Sequence, residues 1–354
     1  MKAIVLCAGL GTRLRPLTFS NAKHLIPVAN KPVLDFSIES LVAAGAGDVG
    51  IVVNGDSRAA IESAIGDGSR LGARVTYIEQ PQPRGLAHAC LCAEPFIGAD
   101  PFLMYLGDTL LPEGLAGPTV LFRQSGANAV VMLKAVDDPN RYGIAEIEGE
   151  RIVRLVEKPQ HPKSNLAIVG GYVFDRNIFD SIRRIKPSSR NEYEIADAIQ
   201  DLIERDLVVR PYILQGWWKD TGNPQDLLDA NRAMLDTLNR DVRGKVDASS
   251  MLEGQVVIDK DTEVSGSRIH GPSIIGAEVR IINSEIGPYT SLGDRVRVVN
   301  SRVENSVVMD DSIIIDLHQP LVGSLIGRKV RVYGGKKGSA HRLLLGDACE
   351  VELS

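Results

Sequence analysis

The segment Cys7-Ala8-Gly9-Leu10-Gly11-Thr12-Arg13 follows an apolar run, Ala3–Leu6, in a chain of 354 residues. Glycines at such a point let the backbone turn tightly and bring N–H groups against an anion. A helix start behind them would add its dipole. Gly9-Leu10-Gly11 fits neither familiar phosphate motif. The dinucleotide fingerprint needs a third glycine where Leu14 stands, and the P-loop needs Gly-Lys-Ser/Thr. Charge supplies the missing argument. Residues 1–34 hold Lys2, Arg13, Arg15, Lys23 and Lys31 and no acid, inside a chain of net charge −5. Cations gathered around a glycine turn make a local anion sink. The planar fork of arginine suits phosphate oxygens, and lysine adds a point charge. Asp108, after the apolar run Phe102–Leu106, is a strand-end acid suited to a hard cation or to a helix cap. In Asp220-Thr221-Gly222-Asn223-Pro224, Asn223 reads as the cap of a helix beginning at Pro224.

The elements that must position these groups alternate. Ala3–Leu6 and Gly50–Val53 read as buried strands, and Val75–Ile78 and Phe102–Leu106 as a third and a fourth strand. Leu34–Ala44, Ile61–Ile65 and Leu227–Leu238 read as helices. This rhythm predicts a Rossmann-like, mostly parallel α/β sheet with helices on both faces. Ligands of such sheets lie outside the carboxyl ends of the strands. The last third differs. Ser267-Arg268-Ile269, Ser284-Glu285-Ile286 and Ser301-Arg302-Val303 recur at a 17-residue step, with Gly276/Gly293, Val279/Val296 and Ile281/Val298 in matching columns. Apolar residues five to six apart resemble the hexapeptide repeat of a left-handed parallel β-helix, here of four or five coils. An antiparallel sandwich fits the columns less well. The polar stretch 239–250 marks the boundary, giving domains 1–240 and 241–354.

Composition removes several classes. The acidic balance and 5% aromatic content count against nucleic-acid binding. No apolar run approaches the ~18 residues of a membrane span, and Arg13 and Arg15 interrupt any secretory pattern. Cys7, Cys90, Cys92 and Cys349 lack metal-ligand spacing, so free thiols and a cytoplasmic location are expected.

Six motifs in order carry a resemblance. They are Gly9–Leu14 with Ala22-Lys23-His24-Leu25-Ile26-Pro27-Val28 and Asn30-Lys31-Pro32; Gln80-Pro81-Gln82-Pro83-Arg84-Gly85-Leu86-Ala87; Leu106-Gly107-Asp108; Arg141-Tyr142-Gly143; Val156-Glu157-Lys158-Pro159; and Trp218-Lys219-Asp220-Thr221-Gly222. Over about residues 1–235 the chain resembles the sugar-1-phosphate nucleotidylyltransferases. With its tail it is most similar to the long-form glucose-1-phosphate thymidylyltransferases of deoxysugar pathways. The resemblance implies that dTTP and α-D-glucose 1-phosphate give dTDP-glucose and pyrophosphate by in-line attack. The attacking phosphate oxygen is already ionised, so alignment and charge neutralisation are the protein's task.

The resemblance also assigns roles. Leu6, Ala8, Gly9, Leu10, Gly11 and Thr12 would cradle the nucleotide, with Arg13 and Lys23 on the triphosphate. Gln80 and Gly85 would meet the pyrimidine. Tyr142, Gly143, Glu157 and Glu192 would form the sugar pocket, and Lys158 would bind the sugar's phosphate. Asp108 and Asp220 would hold Mg²⁺. Two departures stand out. Ala8 replaces a glycine common in the family, and Thr109 an asparagine. His24 and His88 read as packing or hydrogen-bonding residues, Trp217-Trp218 as core, and the tail, with His270, His318 and His341, as an assembly or regulatory module. A homo-oligomer is expected. Alternatives are the same chemistry with UTP or another sugar phosphate, a non-catalytic regulatory subunit of this fold, and, against the position of Leu14, a nicotinamide-dependent oxidoreductase.

Overall fold

A computed structural model describes residues 1–334 and 341–352. The chain falls into two compact units that do not follow chain order. One comprises Met1–Leu10 and Val33–Lys219, the other Gly11–Pro32 and Asp220–Ser354.

The first unit is built on a nine-stranded sheet. Its strands run Arg151–Glu157, Gly143–Glu148, Leu166–Phe174, Phe102–Leu106, Lys2–Leu6, Asp48–Val53 and Arg74–Glu79. Ala129–Ala135 pairs with Leu166–Phe174 and with Val209–Ile213. The four strands at one end are parallel, with Lys2 opposite both Phe102 and Asp48. Leu166–Phe174 runs antiparallel to Phe102–Leu106 and joins the remaining strands to them. Strands covered on both faces are continuously apolar, which is why Ala3–Leu6 and Phe102–Tyr105 are almost wholly buried. Helices Val33–Ala43 and Gly55–Ile65 supply crossovers. The second, of which the sequence marks the closing segment Ile61–Ile65, starts at Gly55, because Asn54 caps it by accepting from Ser57 N at 2.8 Å. Phe102, stacked on Phe179 at 5.4 Å and tilted against Phe174, centres the core under the sheet.

The second unit contains a left-handed parallel β-helix of three sheets, with seven, seven and five strands among the described residues. It is deeper than the four or five coils the repeat displays. After Arg302 the step varies, with Val298 opposite Ile314 and Ile314 opposite Val332, so the outer coils leave the 17-residue frame. The polar stretch 239–250 already forms strands Asp241–Val242 and Lys245–Val246. Ile269, Ile281, Ile286, Leu292, Val298 and Val303 fill the interior at 0% exposure. The repeated serines connect neighbouring coils. Ser267 Oγ accepts from Ser284 N at 3.0 Å, Ser284 Oγ from Ser301 N at 3.2 Å, and Ser301 Oγ from Leu317 N at 3.1 Å. Each hydroxyl also donates to the carbonyl two residues before it. No described helix is long and apolar enough to cross a membrane.

Removing one link leaves a buried N–H unpaired, which costs about 1–3 kcal/mol. Ser284→Ala is expected to lower the stability of the second unit by that amount, read as a fall in chemical-denaturation midpoint. An unchanged midpoint would show that the serine column carries no stability.

Candidate functional site

The parallel strands of the first unit end at one edge, and the predicted nucleotide residues start there. Leu6 closes its strand, with its carbonyl accepting from Gly107 N at 3.1 Å. Cys7 N donates to Val52 O at 2.7 Å, and Ala8 O accepts from Asn54 Nδ2 at 2.8 Å. Asn54 therefore secures both the glycine turn and a helix start, a role the sequence reading missed. Ala8 is buried, whereas Gly9 and Leu10 are exposed. Gln80 directly follows Arg74–Glu79, and its N–H binds Val53 O at 2.8 Å. Asp108 lies in the turn beyond Phe102–Leu106. Leu6, Ala8, Gln80 and Asp108 thus share the carboxyl edge of the parallel strands, the place the α/β rule specifies.

Gln80 Nε2 donates to Gly85 O at 3.1 Å and lies 3.0 Å from His88 Nδ1. Burial, assisted by the Arg84 charge, pushes the His88 pKa below its ordinary value. A neutral ring can accept at Nδ1 from the Gln80 amide, so His88 serves as a hydrogen-bonding residue, as its sequence context suggested. Gly85 has φ +96°, and a Cβ there would meet Tyr193 O at 2.6 Å and Glu192 Cβ at 3.0 Å. Tyr193 N binds Arg84 O, and Ala87 N binds Tyr193 O. Glu192 is accordingly held beside the Gln80–Gly85 loop.

The predicted sugar residues approach the same edge. Glu157 pairs in register with Gly143, and Gly143 lies against Ile168, near the point where Leu166–Phe174 passes the end of Phe102–Leu106. A Cβ on Gly143 would stand 3.0 Å from Glu157 Oε2. Burial, offset by Lys158 and reinforced by Glu194, raises the Glu157 pKa above the ordinary carboxylate value. Lys158 has φ +43°, an uncommon backbone state for a lysine. Its N–H binds Tyr142 O at 3.0 Å, and its Nζ stands 3.7 Å from Glu157 Oε1. Tyr142 packs edge-on to Trp218, with centroids 5.1 Å apart, so Trp218 supports this loop. Arg190 is a second residue the sequence reading missed. Its Nη2 reaches Glu157 at 3.1 Å, Glu194 at 2.9 Å and Glu192 at 3.7 Å. Only the fold could reveal it, since Arg190 belongs to no quoted motif.

Arg13, Lys23 and Asp220 belong to the second unit. Gly11, at φ +61°, packs on Lys23 because it lacks a side chain. A Cβ there would stand 3.1 Å from Lys23 Cβ and from Thr18 Cγ2. Thr18 Oγ1 donates to Gly11 O at 2.8 Å. Arg13 and Asp220 flank Gly222, whose Cβ position is 3.0 Å from Arg13 Nη2 and from Asp220 Oδ1. Thr12 is exposed at the start of the short helical turn Thr12–Leu14. Asn223 caps helix Pro224–Leu235, its Oδ1 accepting from Gln225 and Asp226 N at 3.0 Å. None of the four cysteines forms a disulfide among the described residues.

A strand-edge glycine turn with strand-end carboxylates defines a class, and comparison with known proteins agrees. Residues 2–237 match the family described as Nucleotidyl transferase, and the chain belongs to that family as a sugar-1-phosphate nucleotidyltransferase. Within it the chain is most like the long-form members. It is 45% identical over 356 aligned positions to a glucose-1-phosphate thymidylyltransferase of Streptomyces antibioticus, covering 100% of this chain and 99% of the relative. It is also 45% identical to the Streptomyces griseus enzyme of the same name, covering 100% of both. A putative glucose-1-phosphate thymidylyltransferase from Bacillus anthracis, solved with sucrose, superposes with a TM-score of 0.63 at 34% identity, covering 68% of this chain and 97% of that one.

Gly85→Ala is expected to destabilise the first unit by about 1–3 kcal/mol, and by more than Gly149→Ala, where φ is +57° but nothing lies within 4 Å. Equal thermal shifts for the two variants would show that close approach to Tyr193 is unimportant.

Proposed function

We propose that the enzyme condenses dTTP with α-D-glucose 1-phosphate, releasing pyrophosphate and forming dTDP-glucose. The observation that carries this reading is the shared strand edge, where Ala8, Gln80 and Asp108 are joined by Gly143 and Glu157. The full-length likeness to proteins named thymidylyltransferases supports the choice of nucleotide and sugar. Gln80 and Gly85 meet the base, and the Gly9–Thr12 turn with Arg13 and Lys23 takes the triphosphate. Tyr142, Gly143, Glu157 and Glu192 receive the sugar, with Glu157 accepting from a hydroxyl and Arg190 holding that carboxylate in place.

Lys158 neutralises and aims the sugar's phosphate, whose ionised oxygen attacks the α-phosphorus opposite the departing pyrophosphate. The chain supplies no nucleophile. It contributes alignment and charge neutralisation, with Arg13 and Lys23 stabilising charge on the leaving group. The donors Asp108 and Asp220 are hard oxygen ligands and suit Mg²⁺, which commonly takes one or two carboxylates with phosphates and water. When bound, the ion would offset phosphate charge. Uracil differs from thymine by one methyl group, worth about 1–3 kcal/mol of discrimination, and UTP, which also carries a ribose 2′-hydroxyl, is the second nucleotide to assay.

Pyrophosphate release, measured across a matrix of nucleoside triphosphates and sugar 1-phosphates with Mg²⁺, should be fastest for dTTP with glucose 1-phosphate. A faster different pair would replace this substrate assignment. Asp108→Asn should lower turnover by about 10²–10³-fold, in the range of other charge-stabilising groups, with the folded circular-dichroism spectrum retained. Full turnover would remove Asp108 from the metal role. Lys158→Ala should raise KM for the sugar phosphate by about tenfold or more while sparing KM for the nucleotide. Unchanged kinetics would exclude Lys158 from that contact.

A further inference from the structure

One face of the β-helix is covered where its neighbours are open. In the sheet containing Thr290–Leu292, Val307–Val308 and Leu325–Ile326, the interior is filled by Leu292, Val308 and Ile326. Side chains alternate along a strand, so Ser291, Val307 and Leu325 face outward. They are nevertheless only 0%, 1% and 1% exposed. Outward residues of another sheet of the same β-helix, Arg280, Arg297 and Arg331, stand in solvent.

Part of what meets this face is known residue by residue, all within the second unit. Pro27–Val28 and Lys31–Pro32 form a short antiparallel hairpin. Its tip, Ala29-Asn30, has φ of 47° and 61°. Two successive left-handed residues are the pattern of a type I′ turn, which asparagine tolerates and alanine does not favour. Asn30 Nδ2 donates to Leu292 O at 2.6 Å. Ala29 N donates to Asn231 Oδ1 at 2.8 Å, and Ser291 Oγ donates to the same oxygen at 2.8 Å. Asn231 is fully buried on helix Pro224–Leu235, and its Nδ2 faces Tyr289 O at 3.4 Å. The next residue, Arg232, binds Asn305 Oδ1 at 2.6 Å. One amide thus joins a hairpin, a helix and a β-helix coil.

We propose that the β-helix is the seat of the nucleotide-gripping segment, with Asn231 and Asn30 as positioning residues. Lys23 lies four residues before the hairpin and packs on Gly11, so fixing the tip fixes the segment that presents Lys23 and Arg13. The tail then acts on substrate affinity, beyond any part in assembly. This inference rests on the nucleotidyl-transfer reading of Arg13 and Lys23.

Two variants of the full-length chain test it. Asn30→Gly keeps a residue suited to the left-handed turn but removes the bond to Leu292 O. Asn231→Leu keeps similar bulk but removes the shared acceptor. In folded protein, each should raise KM for dTTP about tenfold and leave KM for glucose 1-phosphate within about twofold, since loss of a positioning contact for one substrate weakens that substrate alone. General loosening would move both constants together. A dTTP KM unchanged in folded Asn30→Gly overturns the proposal, as does an equal rise in both constants. Amide hydrogen exchange at residues 28–31 gives a reading independent of activity. Exchange should accelerate about tenfold or more in Asn30→Gly as the hairpin leaves its seat, and unchanged exchange overturns the seat. If native protein releases no pyrophosphate while exchange still accelerates, the functional reading fails and the seat stands.

Discussion

Parallel strands impose a directional constraint. Every chain that enters the sheet at one edge must leave at the other, so everything following Lys2–Leu6, Asp48–Val53, Arg74–Glu79 and Phe102–Leu106 is delivered to a single line. The chemistry of the first unit depends on this arrangement. It gathers Ala8, Asn54, Gln80 and Asp108 although they are spread over a hundred positions. Leu166–Phe174 extends the arrangement by running the other way, so that its beginning, and the neighbouring Gly143 and Glu157, arrive at the edge where the parallel strands end. Apolar burial of the strand interiors holds the line rigid and leaves the turns free to carry polar groups.

The second unit solves a different problem. A β-helix coil is too short to satisfy its own backbone at every corner, and buried serines supply the missing acceptors from one coil to the next. Because each coil touches mainly its neighbours, one outward face can be modified without disturbing the interior. Ser291, Val307 and Leu325 show such a change. In place of solvated side chains, this row is small or apolar and buried, and a helix amide and a hairpin tip are hydrogen-bonded at its edge.

Much of this was legible in the sequence. Short runs marked the first four strands of the sheet to within a residue or two at each end. Lys2–Leu6, Asp48–Val53 and Phe102–Leu106 are buried almost throughout and have no polar alternation to confuse them, whereas Arg74–Glu79, partly exposed at the sheet edge, was marked by Val75–Ile78. The 17-residue step revealed the β-helix, since repeated geometry demands repeated residues. Its full depth stayed hidden because later coils gain or lose a residue at the corners and break the frame. Arg190 was invisible because its partners, Glu157, Glu192 and Glu194, are assembled by tertiary structure. The grouping of Gly11–Pro32 with Asp220–Ser354 was equally hidden. A single asparagine on an amphipathic helix looks like any surface amide until its depth is known. The outward apolar residues Val307 and Leu325 did leave a trace, in strands where both successive positions are apolar.

The stack of coils also has an exposed beginning. Asp241–Val242 and Lys245–Val246 each lie at the edge of a parallel sheet, with one side bonded to the next coil. Such edges invite pairing with another chain. Here each strand is only two residues long, and Asp241 and Lys245 stand exposed with opposite charges. A stray strand docking there would have to desolvate a carboxylate and an ammonium for very few backbone bonds, so the residues that open these two sheets guard their edges against pairing with another chain.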